Sequence, residues 1–248
     1  MDTRVNGEAP WIEEYGRTAS AAWCGDVVCI RNIRNFRYRT KFDFAPAYFD
    51  AAYDVSQLRT VDLVVSRWAH DAIAHVFVSF GFEDGRYLSI SIETRRRQGQ
   101  VYSTWRGFLR QYRLIYVVAD ERDLIGVRTD VRRERVSLYR SSVSAKTAQG
   151  LFRDYVRRVN QLNEQPEFYH TLFNNCTTNI LSHAQSLAPR LRYSWKVLLS
   201  GHADRYSYEL GLLDSSVPFD ELRRRSVVRR PDGMLIGPDF SAAIRRHV

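Results

Sequence analysis

Residues 72–93 read AIAHVFVSFGFEDGRYLSISIE. Two runs that alternate apolar and polar side chains flank Glu83-Asp84-Gly85, which is the pattern of a β-hairpin. Its register follows from the apolar positions. A two-residue Asp84-Gly85 turn would pair residue 83 with 86 and set Val76 against Glu93 and Val78 against Ser91, mixing apolar and polar residues on both faces. A three-residue loop instead pairs 82 with 86 and gives Gly85 the left-handed position that such loops favour. Val76, Val78 and Phe80 then share a face with Ile92, Ile90 and Leu88. His75, Phe77 and Ser79 lie opposite Glu93, Ser91 and Ser89 on the other face. A slip of one residue exchanges the faces, so the apolar pattern selects the second register. It predicts His75 directly across from Glu93, with Cβ atoms about 4.5–5.5 Å apart.

On either side of the hairpin the chain changes character once. Stretches 26–39, 59–68, 111–119 and 132–140 are rich in β-branched and aromatic residues and read, with the two hairpin arms 72–82 and 86–94, as strands. The segment Asp120–Thr129 reads as a short helical turn, and Asp120-Glu-Arg-Asp123 as a salt-bridged one. Beyond residue 144 the period becomes helical: Ala148, Leu151, Phe152, Tyr155, Val156, Val159 and Leu162 form one stripe that ends before Pro166. Further helices are expected from about Asn174-Asn175-Cys176 and near 195–212, 218–225 and 239–246. Strands first and helices after is the α+β pattern, a largely antiparallel sheet with helices packed on one face. Residues 1–25 read as an N-terminal extension and 26–248 as one domain.

Composition narrows the class. The 248 residues are 44% hydrophobic and 13% aromatic, which excludes disorder and low-complexity arrays. Lys and Arg number 37 against 28 acidic residues, a net charge of +9, and only Lys41, Lys146 and Lys196 are lysines. An arginine excess keeps anionic partners open, whether lipid headgroups or nucleic acid. The runs Arg95–Arg97, Arg223–Arg225 and Arg229–Arg230 read as solvated faces. Three cysteines cannot make a disulfide framework. No apolar run approaches the roughly 18–20 residues of a membrane span, and the first residues have no signal-peptide core, so the chain as given reads as soluble.

The chemistry-bearing residues lie far apart in sequence. A carboxylate beside an imidazole holds one tautomer and raises its basicity, so His75 with Glu93 suits the base and orienting acid of a triad. In Phe173-Asn-Asn-Cys-Thr-Thr-Asn-Ile180, Asn174 or Asn175 is placed to cap a helix that Cys176 opens. Free N–H groups and the positive dipole end favour a thiolate there. Those N–H groups, with the Asn175 side chain, would form an oxyanion hole. Cys24 and Cys29 read as small buried hydrophobes. His70, His170 and His183 read as packing or surface histidines. With no HExxH or paired CxxC spacing, no metal is expected and no cofactor is implied.

A strand histidine, an acid on the next strand and a cysteine opening a later helix is the order found in circularly permuted papain-like hydrolases and acyltransferases. More specifically, IRNIRNFRYRT (30–40), AHVFVSFGFEDGRYLSISIETR (74–95), RQYRLIYVVADERDLIGVRT (110–129), NNCTTNI (174–180) and LLSGHADRYSYELGLLD (198–214) resemble the bacterial family built around the periplasmic domain of Lnb, the lipoprotein intramolecular transacylase. The resemblance implies Cys176, His75 and Glu93 as the catalytic site and acyl transfer at the periplasmic, outer face of the cytoplasmic membrane. The partner it implies is a lipoprotein or phospholipid substrate at a membrane surface. The chain departs from the family pattern at Ser66-Arg67-Trp68-Ala69, where Arg67 replaces a smaller or rigid residue at the expected cleft entrance. Gly201-His202-Ala203-Asp204 belongs to the resemblance without a role of its own. Two readings compete. One is a cysteine amidase or peptidase on cell-wall peptides with the same triad. The other is a non-catalytic anion- or nucleic-acid-binding module, disfavoured because the basic residues are dispersed and no recognition motif occurs.

Overall fold

The hairpin forms in the register its apolar positions demand. Val78 pairs with Ile90, Ser79 with Ser89, Phe80 with Leu88 and Gly81 with Tyr87. Phe82 N donates to Arg86 O at 3.0 Å, closing a three-residue loop in which Gly85 has φ +81°. The computed structural model describes residues 9–68, 71–101, 103, 107, 109–187, 200–230 and 236–246. Two expectations, a histidine at 70 and the start of a helix at 195–199, lie outside the described residues.

The strands are β1 (Ser20–Cys24), β2 (Val27–Arg34), β3 (Arg37–Tyr38), β4 (Phe44–Ala45), β5 (Tyr48–Asp54), β6 (Leu58–Arg67), β7 (Ala74–Phe82), β8 (Tyr87–Arg95), β9 (Arg113–Ala119) and β10 (Arg135–Arg140). Eight of them form one sheet in the order β1-β2-β9-β8-β7-β6-β10, with β5 also on β2. All its pairings are antiparallel except the single contact Arg34–Ala119 between β2 and β9. The expected strand 26–39 is broken. Asn32 takes φ 59° at a shift in the β2–β5 register, where its N–H turns to Asp50 Oδ1 at 2.9 Å. Asparagine tolerates that conformation and marks the bulge. Residues 20–24, read as part of an extension, are the edge strand β1.

Among the described residues the helices are α1 (Glu121–Gly126), α2 (Ala145–Glu164), α3 (Cys176–Leu187), α4 (Ala203–Glu209), α5 (Phe219–Arg225) and α6 (Phe240–Ala243). They cover both faces of the sheet, which corrects the expectation of helices on one face. Val61, Val78, Phe80, Ile90, Ile92 and Tyr116 pack against the Ala148, Phe152, Tyr155 and Val159 stripe of α2. From the opposite face Val64, Phe77, Ile115, Val117 and Leu138 pack against Leu124 and Ile125 of α1 and Phe240 and Ile244 at α6. A strand apolar and buried at every position after its first, as in Leu114–Ala119 of β9, is what a sheet buried on both sides requires. Asp123 anchors α1, accepting from Arg34 Nε at 2.9 Å and Nη2 at 2.8 Å.

Cys24 and Cys29 are exposed rather than buried. They lie on β1 and β2 at the sheet margin, and Cys29 points away from the face that Val28 and Ile30 bury. Among the described residues, no helix is long and apolar enough to cross a membrane.

Candidate active site

The ladder between β7 and β8 stops at Val78–Ile90. Beyond it, β7 stays with β6 as far as Arg67–Ala74, and β8 stays with β9 as far as Arg95–Arg113. The sheet therefore parts where the hairpin was expected to set His75 against Glu93. The side chains close the gap instead: His75 Nε2 lies 3.0 Å from Glu93 Oε1 and 2.6 Å from Ser91 Oγ.

Into this parting comes the first residue of α3. Cys176 is half-buried, packs against the core beneath α2, and its side chain hydrogen-bonds His75. A sulfur on one face of the sheet thus reaches an imidazole whose strand position belongs to the other. The helix starts here because Asn175 caps it. Asn175 Oδ1 accepts from Thr178 N at 2.9 Å, and Asn175 N donates to Thr178 Oγ1 at 2.9 Å, a reciprocal capping arrangement. Its Nδ2 donates to Thr171 O at 2.6 Å, and its Oδ1 also accepts from Thr177 Oγ1 at 2.9 Å. The Asn175 amide is thereby committed to the cap and the preceding loop, not aimed at the sulfur as an oxyanion donor. The Cys176 N–H, at the first helical position, has no acceptor within the helix.

Glu93 Oε1 collects three donors. Besides His75 it accepts from Ser91 Oγ at 2.8 Å and from Arg128 Nη2 at 3.0 Å. Burial would raise this carboxyl, but the His75 charge and hydrogen bond, with Arg128 and Ser91 behind them, hold it well below the usual carboxylate range. For His75, burial pulls the ring down; the Glu93 charge and the hydrogen bonds to Cys176 and Glu93 overcome both that and the repulsion of Arg128, and raise it to about 9. Arg128 comes from the π-helical turn Val127–Val131 that follows α1, with its guanidinium over the Phe77 ring at 5.0 Å. Such turns recur where a helix is widened to aim a side chain.

Sequence reasoning missed Ser91 and Arg128. Ser91 had a signal, since it shares the polar face of its strand with Glu93. Arg128 is 35 residues from Glu93 with no local pattern to connect them. Cys176, His75 and Glu93 all line one cleft of about 340 Å³, walled also by Tyr15, Trp68, Arg96, Arg128 and Tyr169. Tyr15 belongs to the stretch read as an extension; Ile12 N bonds Arg96 O at 3.0 Å and fastens it there.

His202 and Asp204 find a structural setting. Asp204 is buried, accepting from Arg67 Nη2 and Tyr139 OH, each at 2.7 Å. Gly201 N donates to Ala72 O at 3.1 Å, and a Cβ at 201 would sit 1.9 Å from Asp71 O. The Gly201–Asp204 stretch therefore clamps the segment leading into His75, and Arg67 is the partner the clamp needs. His202 precedes α4 without a side-chain cap bond. His183 is a buried packing histidine, with Nδ1 2.6 Å from Asp154 Oδ2 and its ring stacked on Tyr155. Two turns beyond Cys176 on the same helix, about 10 Å away, it is too distant to serve that sulfur. Among the described residues no group of three or more His, Cys, Asp or Glu side chains could hold a metal ion.

No curated protein and no solved structure matches the chain. A family model does: that of the Lnb N-terminal periplasmic domain, over residues 44–203, a span that includes His75, Glu93 and Cys176. The chain is a member of the Lnb N-terminal periplasmic domain family.

Proposed function

We propose that the protein is a cysteine-dependent acyltransferase that takes an ester-linked acyl chain from a lipoprotein or phospholipid onto Cys176. The observation that carries this reading is the convergence of Cys176, His75 and Glu93 in one cleft, with His75 raised to about 9. At neutral pH such a ring carries the proton, and the reaction starts from the sulfur as its thiolate nucleophile beside it. The sulfur attacks the ester carbonyl, the C–O bond breaks, and His75 gives its proton to the departing alkoxide. An acceptor amine or water then attacks the thioester. His75 takes the acceptor's proton, the C–S bond breaks and the thiolate is restored. Nε2 of His75 is engaged by Glu93 and Ser91, so proton exchange with the sulfur falls to Nδ1. The N–H of Cys176 at the start of α3 stabilises the oxyanion, without the Asn175 side chain. Family membership supports a periplasmic setting, and a lipid-anchored substrate would be met at the outer face of the cytoplasmic membrane.

Mass spectrometry after incubation with an acyl-ester probe tests the reading. The expected result is an adduct of one acyl group on Cys176 that is lost in Cys176→Ala while the melting curve is retained. Acylation that maps only to the exposed Cys24 or Cys29, or total labelling unchanged in Cys176→Ala, ends the proposal. Parallel incubation with a diacylated lipopeptide and with a muropeptide separates acyl transfer from cell-wall peptide cleavage, since only the first should be consumed.

A further inference from the structure

Two cavities lie along α3 on the side of the sheet away from His75. The nearer, about 60 Å³, is lined by Thr177 and Val76, the residues next in sequence to Cys176 and His75. The farther, about 120 Å³, reaches Leu151 of α2. The two share Leu63, Ile180, Ala184, Ser207 and Leu212, so they adjoin. Their walls are overwhelmingly aliphatic. Ile180 and Ala184 stand four and eight residues beyond Cys176, on the stripe of α3 that the sulfur begins. Well-packed interiors hold few voids larger than a water molecule, so two adjoining apolar ones that begin at Thr177 and Val76, each one residue from Cys176 or His75, call for an occupant.

We infer that these cavities receive the acyl chain of the substrate, carbon by carbon from the thioester outward, and that Ala184 and Leu212 set how much of it is held. The inference rests on the acyl-transfer reading and adds its chain-recognition site. A cavity of about 150 Å³ accommodates benzene, so the pair has room for roughly six to eight carbons. The half-buried Thr147 and Leu151 at the far end leave a way out for a longer chain. Each methylene moved from water into such a space is worth about fourfold in binding. Chain length, more than headgroup, should therefore govern how fast Cys176 is acylated.

The test is labelling of Cys176 by p-nitrophenyl esters of acetate, octanoate and dodecanoate, read by peptide mass so that the exposed Cys24 and Cys29 are counted apart. Wild type should favour octanoate over acetate by at least tenfold. Ala184→Phe, which fills the shared wall, should cut that ratio at least tenfold. Leu212→Ala, which enlarges it, should raise the dodecanoate-to-octanoate ratio, and it keeps the test alive if Ala184→Phe fails to fold. Ratios within twofold of wild type in both folded variants would overturn the inference and leave the acyl-transfer reading standing. If no ester labels wild type, that reading fails. The cavity is then judged by calorimetric titration with octanoate: binding that Ala184→Phe weakens at least tenfold supports a chain site, and no binding refutes it.

Discussion

His75 holds two relationships at once, to an acid and to a sulfur, and its proton affinity records both. The ring's ordinary value of 6.5 is raised to about 9, so the folded state favours the protonated ring. That stabilisation is full below about pH 6.5 and is lost as pH rises through about 9; it amounts to roughly 3 kcal/mol. Glu93 runs the other way. Its carboxyl is held low, so its share is present above the ordinary carboxylate range and is lost as pH falls. Glu93→Gln keeps the shape and removes the charge. Its melting temperature should lie well below that of wild type at pH 6, and the gap should narrow by pH 9.5; a gap of constant size would refute the coupling. The same variant should slow acylation of Cys176 by about 10²- to 10⁴-fold, checked with the acyl-ester label. The His75–Glu93 relationship was legible because period-two alternation ties apolar faces to polar ones. The end of the ladder at Val78–Ile90 was not, since nothing in either strand's own sequence says which neighbour it will keep.

Among elements, the ones that escaped prediction are those whose pairing overrides composition. Residues Tyr48–Asp54 read YFDAAYD, with alanines and aspartates that disfavour strands, yet they form β5 because β2 offers an edge to pair with. Helix α2 was legible through its stripe and α3 through its cap, where Asn175 Oδ1 accepts from Thr178 N at 2.9 Å; the cap of α2, Ser144, which accepts from Thr147 N at 3.2 Å, was not read from the sequence. The clamp at Gly201–Asp204 was visible only as a resemblance, because its meaning depends on Arg67, 137 residues away. Removing one side of a buried ion pair leaves a stranded charge, at about 3–5 kcal/mol. Arg67→Met should therefore lower the urea midpoint by that equivalent, and Arg67→Met with Asp204→Asn together should recover much of the loss. Equal loss in the single and double variants would mean that the two do not act as a pair.

At the scale of the molecule, the arginine excess has a different meaning from the one composition suggests. Arg34, Arg67, Arg128 and Arg245 are all nearly buried and paired with carboxylates, so part of the arginine content is structural, while these pairs cancel and leave the net +9 to the other residues. Arg245 is the furthest-reaching: just past α6, it bonds Asp62 of β6 at 2.9 Å and Glu121 of α1 at 2.7 Å, both carboxylates fully buried. It fastens the C-terminal helix, the sheet and α1 together across the face that carries Arg128. Arg245→Met should cost about 3 kcal/mol by denaturant titration. By loosening α1 it should also raise the pH at which Cys176 labelling changes, since the Arg128 charge that opposes protonation of His75 would no longer be held beside it. A variant as stable as wild type would show that the other donors to those acids, Arg140 Nε to Asp62 and Ser79 Oγ to Glu121, suffice.

A sheet that divides between two of its central strands is a partition with a doorway. On one side of this doorway lie guanidinium groups and carboxylates; on the other, aliphatic hollows. Cys176 stands on the threshold. A molecule half oily and half polar can straddle such an opening with its junction at the sulfur, each half facing the surroundings it prefers, whereas a uniformly polar molecule gains a foothold on one side alone.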